Sequence, residues 1–141
     1  MVHALADYER AAHECTLTVA ALRAALFGPV PALFGHVALA GDEVVGAALW
    51  FLNFSTWDGV HGIYLEDLYV RPEHRGAGHG RALLAALAAE CHREGYSRLQ
   101  WSVLDWNTPS IDFYRRLGAC ADEEWVGYRL TGPALRSLAE G

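Results

Sequence analysis

The sequence contains no lysine: all eleven of its basic residues are arginine. That absence removes every mechanism built on a lysine amine, including Schiff-base chemistry and the phosphate-binding lysine of a P-loop. Cysteine is scarce as well. Cys15, Cys91 and Cys120 are odd in number, widely spaced and without a C-x-x-C pair, which argues against a disulfide framework and predicts packed, reduced thiols. Long apolar runs are missing, and the longest, Val44 to Leu52, falls short of a bilayer. The amino terminus meets Asp7 and Glu9 before any apolar core of signal-peptide length. Together these features predict a cytoplasmic protein with no membrane partner.

Positive charge is in deficit, with 11 arginines against 17 carboxylates and a net charge of -6 at pH 7. Affinity for nucleic acid rests on a basic footprint, so no nucleic-acid partner is expected and small cationic molecules are the more natural ligands. The 141 residues are 52% hydrophobic and 20% charged, the balance of a well-cored globule. No Ser, Gly or Pro stretch is long enough for a linker, so one domain is expected over residues 1–141.

Residues 3–14 read as a helix, and Thr18 can cap a second that runs to Leu26 and stops at Gly28-Pro29. Leu33 to Ala40, Glu43 to Phe54 and Gly62 to Val70 are β-branched and aromatic, separated by turn signals at Gly41-Asp42 and Trp57-Asp58-Gly59. In the next segment Leu83, Leu84, Leu87, Ala88 and Cys91 share one helical face, and Gly95 ends that helix. Leu99 to Leu104 reads as a buried strand, Asn107-Thr108-Pro109 starts a helix closed by Gly118, and residues 119–131 read as the last strands. A strand, helix and strand in succession form a right-handed crossover, so the sheet is mixed, antiparallel first and then parallel.

Between the third strand and its helix stands Arg75-Gly76-Ala77-Gly78-His79-Gly80-Arg81, with three glycines on alternate positions. A P-loop is excluded for lack of lysine, and G-x-G-x-x-G fails because Arg81 and Leu83 occupy the third-glycine positions. What remains is R-x-x-G-x-G at a strand-to-helix turn. There glycines let backbone N–H groups approach an anion, and the helix dipole adds partial positive charge.

Preceded by Leu65-Glu66-Asp67-Leu68-Tyr69-Val70, this loop resembles the acetyl-CoA loop of the GNAT N-acetyltransferase superfamily. Tyr64 to Asp67, Leu104-Asp105-Trp106-Asn107 and Pro109 to Tyr114 are similar to the diamine branch, the spermidine/spermine and thialysine N-acetyltransferases. The resemblance implies an α/β GNAT (acyl-CoA N-acyltransferase) fold, a mixed central sheet flanked by helices. Tyr8 has only seven residues before it, so the family's usual first strand is expected to be missing. The sheet edge thus left open suggests a homodimer.

The same resemblance implies acetyl-CoA as cosubstrate. Its pyrophosphate would be held by backbone groups of Gly76, Ala77, Gly78, His79, Gly80 and Arg81 beside Arg75, and its pantetheine arm laid along Leu68, Tyr69 and Val70. Asn107 and Ser110, which can cap their helix, would also touch the cofactor. Glu66 would bind the acceptor amine and take its proton through water, with Tyr8, Glu9, Asp67, Gln100, Trp101 and Ser102 lining the acceptor side. Backbone N–H groups near Leu68 and Tyr69 would polarise the thioester, and Tyr114 would protonate the departing thiolate. A carboxylate near the amine offsets a definite cost, since an amine of pKa ~10.4 is neutral about one time in ~2,500 at pH 7, a penalty of roughly 4 to 5 kcal/mol. Adjacent residues of a strand leave on opposite faces, so only one of Glu66 and Asp67 is expected to point at the amine.

The seven histidines contain no H-E-x-x-H, and no metal is expected. The stretch Glu123-Glu124-Trp125-Val126-Gly127-Tyr128 departs from the Glu-Glu-Gly-Trp of the diamine enzymes. That departure bears on polyamine specificity more than on acetyl transfer. The reading is an acetyl-CoA-dependent N-acetyltransferase acting directly on a primary amine of a small cationic acceptor: a polyamine, diamine or thialysine-like amino acid. The rival readings are an acetyl-CoA-binding module with little turnover and a peptide or protein N-acetyltransferase.

Overall fold

The computed structural model describes all of residues 1–141. They form two compact units, Met1–Leu104 and Asp105–Gly141.

The first unit begins with α1, Val2–Tyr8. The helix expected over residues 3–14 is broken because Arg10 turns left-handed at φ 63°. Around it Ala11 N–H reaches Ala6 O at 2.8 Å and Arg10 N–H reaches Asp7 O at 3.0 Å, the two bonds of a Schellman C-cap. A short 3-10 turn, Ala12–Glu14, follows. In α2, Val19–Phe27, the Thr18 hydroxyl accepts from Ala21 N–H as the capping signal predicts.

The sheet has order β1-β2-β3-β4. Its strands are β1 Phe34–Ala40, β2 Glu43–Ser55, β3 Val60–Val70 and β4 Leu99–Gln100. β1, β2 and β3 pair antiparallel, and β4 joins β3 in parallel. The mixed sheet with flanking helices is the expected architecture, and no strand precedes β1. Register assigns the faces. Phe34 opposite Trp50, Trp50 opposite Leu65, Leu52 opposite Ile63 and Ala48 opposite Leu68 put the buried Ala48, Trp50, Ile63 and Leu65 on one side. This side is covered by α3, His79–Glu94, through Leu83, Leu84, Leu87 and Cys91. Ala88, expected on the same stripe, is exposed. Each buried leucine contributes roughly 1.5 to 3 kcal/mol. Trp50 is fixed further by stacking on Phe34 at 4.7 Å and by donating its indole N–H to His36 Nδ1 at 3.0 Å.

Two bulges interrupt the ladders. Ala38 and Leu39 face Gly46 and Val44, leaving Val45 extra on β2. Leu49 and Trp50 face Asp67 and Leu65, leaving Glu66 extra on β3. A bulge bends its strand, and the β3–β4 ladder, from Ile63–Leu99 to Tyr64–Gln100, ends two residues before Glu66. The strand expected over 99–104 is therefore only Leu99–Gln100.

The second unit holds α4, Thr108–Arg116, with Pro109 in its first turn, and α5, Gly132–Glu140. The last strands expected over 119–131 do not form. The run Trp125-Val126-Gly127-Tyr128 has strand composition but no neighbouring strand to bond, and Tyr128 is 95% exposed. α5 lies outside the elements read above and starts with Pro133 in its first turn.

One glycine is required by close approach. A Cβ at Gly62 would lie 2.6 Å from Arg98 Cγ, 2.7 Å from Asn53 Oδ1 and 3.0 Å from Arg98 O. Gly62→Ala is expected to destabilise the protein by about 1 to 3 kcal/mol, read as a lowered denaturation midpoint at unchanged m-value.

Candidate functional site

The glycine loop is shaped by backbone conformation. Gly76 and Gly78 have φ 80° and 89°, and a Cβ at either would meet nothing within 4 Å. Glycine stands there because the left-handed turn demands it, and the space outside the loop stays open. Gly78 is the N-cap of α3 and supplies no side-chain cap. The first-turn N–H groups, from His79 through Arg81, are thus available at the positive end of a sixteen-residue helix. Arg71 pairs with Glu43, and His74 Nε2 lies 3.9 Å from the same carboxylate, tying the segment before the loop to β2.

The sheet face opposite α3 carries the other candidates. Asp67 pairs with Leu49 and Tyr69 with Ala47, so both point away from α3. The bulge takes Glu66, which is exposed, out of the ladder and resets the alternation, replacing the simple opposite-face arrangement. Asp67 is half-buried, and its carboxyl is pushed up to about 6, first by burial and then by the charges of Glu66 and Glu9. Burial also raises Glu9. Arg75 stands over the Tyr8 ring at 5.0 Å and over Tyr69 at 5.7 Å. The structure therefore brings Tyr8, Glu9, Glu66, Asp67, Tyr69 and Arg75 to one place on this face.

Toward β4 the same face is polar and aromatic. Asn53 Nδ2 donates to Gln100 Oε1 at 2.9 Å, Tyr64 Oη and Ser102 Oγ are 2.8 Å apart, and Phe51 lies against Tyr64 at 5.1 Å. Trp101 is half-buried beside them in sequence. The sequence alone does not mark Asn53, Phe51 and Tyr64 as part of this floor, since only the strand register reveals their neighbours. Beyond Gln100, residues Leu65 to Val70 are paired with β2 on one side and with no strand on the other. Leu68 points to the α3 side with Ala48.

In the second unit Asn107 is buried and caps α4, its Oδ1 accepting from Ser110 N–H at 3.4 Å. Tyr114 is half-buried on the same helix, with its ring 5.3 Å from Phe113. Leu117, the C-cap of this helix, is 40% exposed.

The profile of the acetyltransferase (GNAT) family matches residues 2–119. The chain belongs to this family. A bovine thialysine N-epsilon-acetyltransferase is 38% identical over 99% of the chain and 88% of the relative. An L-ornithine N5-acetyltransferase of Arabidopsis thaliana is 39% identical over 67% of the chain and 42% of the relative. Among solved structures, an integron cassette protein from the mobile metagenome of V. cholerae superposes with a TM-score of 0.81 at 26% identity, covering 97% of this chain and 86% of that one. The protein is accordingly an N-acetyltransferase, moving an acetyl group to an amine.

For this acetyltransferase the Asp67 environment has a measurable sign. A folded-state carboxyl raised to about 6 binds its proton more tightly than the unfolded chain does, so its contribution is lost as pH rises through 6. Asp67→Asn is expected to raise the thermal unfolding midpoint at pH 8. The gain should shrink as pH falls through 6 and vanish below the ordinary value of 3.8. A gain that stays constant from pH 8 to pH 4 would show that Asp67 is not raised.

Proposed function

We propose that the enzyme transfers an acetyl group from acetyl-CoA to a primary amine of a small cationic acceptor: a thialysine- or ornithine-like amino acid, a diamine or a polyamine. The observation that carries this reading is the half-buried Asp67, pressed by the charges of Glu9 and Glu66, on the face of a strand whose far edge is unpaired just before the glycine loop. The names of the thialysine and ornithine relatives support the acceptor class.

The residues present fit acetyl-CoA. The open, left-handed Gly76 and Gly78 and the first-turn N–H groups of α3 make a backbone cradle for a pyrophosphate. The unpaired edge from Leu65 to Val70 offers N–H and C=O groups to an extended amide-bearing arm. The cosubstrate supplies the activated acetyl thioester. On the protein's side, Glu9, Glu66 and Asp67 attract the ammonium form of the acceptor. Asp67, tuned near neutrality, is well matched to take the amine proton, and the exposed Glu66 reaches it directly or through water. Backbone N–H groups beside Leu68 and Tyr69 stabilise the developing oxyanion. The Tyr114 hydroxyl gives its proton to the departing sulfur.

Thiol release from acetyl-CoA over polyamines, thialysine, L-ornithine, L-lysine and peptides tests the reading; release with peptides alone would overturn it. With a working acceptor, Tyr114→Phe is expected to lower kcat by about 10²- to 10⁴-fold. Glu66→Gln and Asp67→Asn are compared by pH profile. Asp67→Asn is expected to remove a rise of kcat/KM near pH 6, and a rise that survives Asp67→Asn would remove Asp67 from the proton-accepting role.

A further inference from the structure

Arg75 opens the glycine loop, yet its side chain turns back from it. Its Nε donates to Val70 O at 2.9 Å, at the end of β3. Its guanidinium carbon stands 5.0 Å from the ring centroid of Tyr8 and 5.7 Å from that of Tyr69. A permanently charged group with one N–H committed to a carbonyl and its carbon over two rings is held on those partners. Tyr69 neighbours Asp67 on the same face of β3. Tyr8 is the last residue of α1, and Glu9 is its C-cap. Glu9 is near enough to Asp67 to raise its carboxyl. The stack therefore connects the loop to the helix end that carries an acidic group of the acceptor side.

We propose that Arg75 is a positioning residue for the amine acceptor: stacked between Tyr8 and Tyr69 and anchored on Val70 O, it seats the end of α1, and with it Glu9, against Asp67. Resting on the amine-acetyltransferase reading above, this moves Arg75 from the cofactor side, where the loop motif puts it, to the acceptor side. The phosphate-facing work of the loop then belongs to its backbone.

The test separates the two sides. Arg75→Met keeps length and removes charge, N–H groups and the cation over the rings. It is expected to raise the KM of the acceptor about tenfold and leave kcat within about threefold, with calorimetric acetyl-CoA affinity in the absence of amine within about twofold. Arg75→Lys retains a cation over the rings without the planar fork, and should recover part of the acceptor KM. A tenfold loss of acetyl-CoA affinity with unchanged acceptor KM would return Arg75 to the cofactor side and overturn the proposal. No change in either quantity overturns it too. Failure of the amine reading itself shows in the unaltered protein, as absence of thiol release with every amine. The stack is then judged by a thermal-unfolding cycle of Arg75→Met, Tyr8→Leu and the pair, in which strictly additive losses refute the coupling and non-additive losses uphold it.

Discussion

Glu66 has no partner on β2, and the strands around it absorb that single extra residue. Before it, β3 follows the alternation that buries Ile63 and Leu65 under α3. After it, the alternation restarts with Asp67 and Tyr69 on the opposite face. The parallel ladder to β4 stops just ahead of the bulge, so the second half of β3 has one free edge. A free backbone edge, a half-buried carboxylate and a side chain displaced from the sheet all follow from that irregularity. Had the ladder been regular, Asp67 and Tyr69 would have continued the parity of Ile63 and Leu65 into the core. A carboxylate there would have been far more costly than the partly solvated one observed.

The sheet thereby keeps stability and recognition apart. On the α3 side Trp50, Leu65, Leu83 and Leu87 close a packed layer that makes the unit stable. On the other side the same strands present Phe51, Asn53, Tyr64, Asp67 and Tyr69, an aromatic and polar floor. Alternation along each strand directs the two sets of side chains to opposite faces.

What could be read from the sequence was local. The glycine loop, the Thr18 and Asn107 caps, the Gly95 stop and the leucine stripe of α3 each depend on residues within a few positions of one another, and each lies where its signal places it. What could not be read depends on partners distant in the chain. The Glu66 bulge exists only relative to β2, and the raised Asp67 depends on burial in the folded unit and then on the charges of Glu66 and of Glu9 from the end of α1. Arg10 closes a Schellman cap without the glycine that normally marks one. Trp125 to Leu130 carries strand composition yet finds no ladder, because β-propensity describes a surface to pack on and cannot supply it.

The Tyr8–Arg75–Tyr69 stack gives the missing lysines a chemical meaning. A lysine amine would be a potential acyl acceptor in its neutral form, and this chain has none. A guanidinium keeps its charge throughout the working pH range and is a poor nucleophile, so Arg75 can sit at the reaction's threshold as a cation that never becomes an acceptor. With arginine as its only basic side chain beyond histidine, the folded surface carries no ε-amine to intercept the group it delivers.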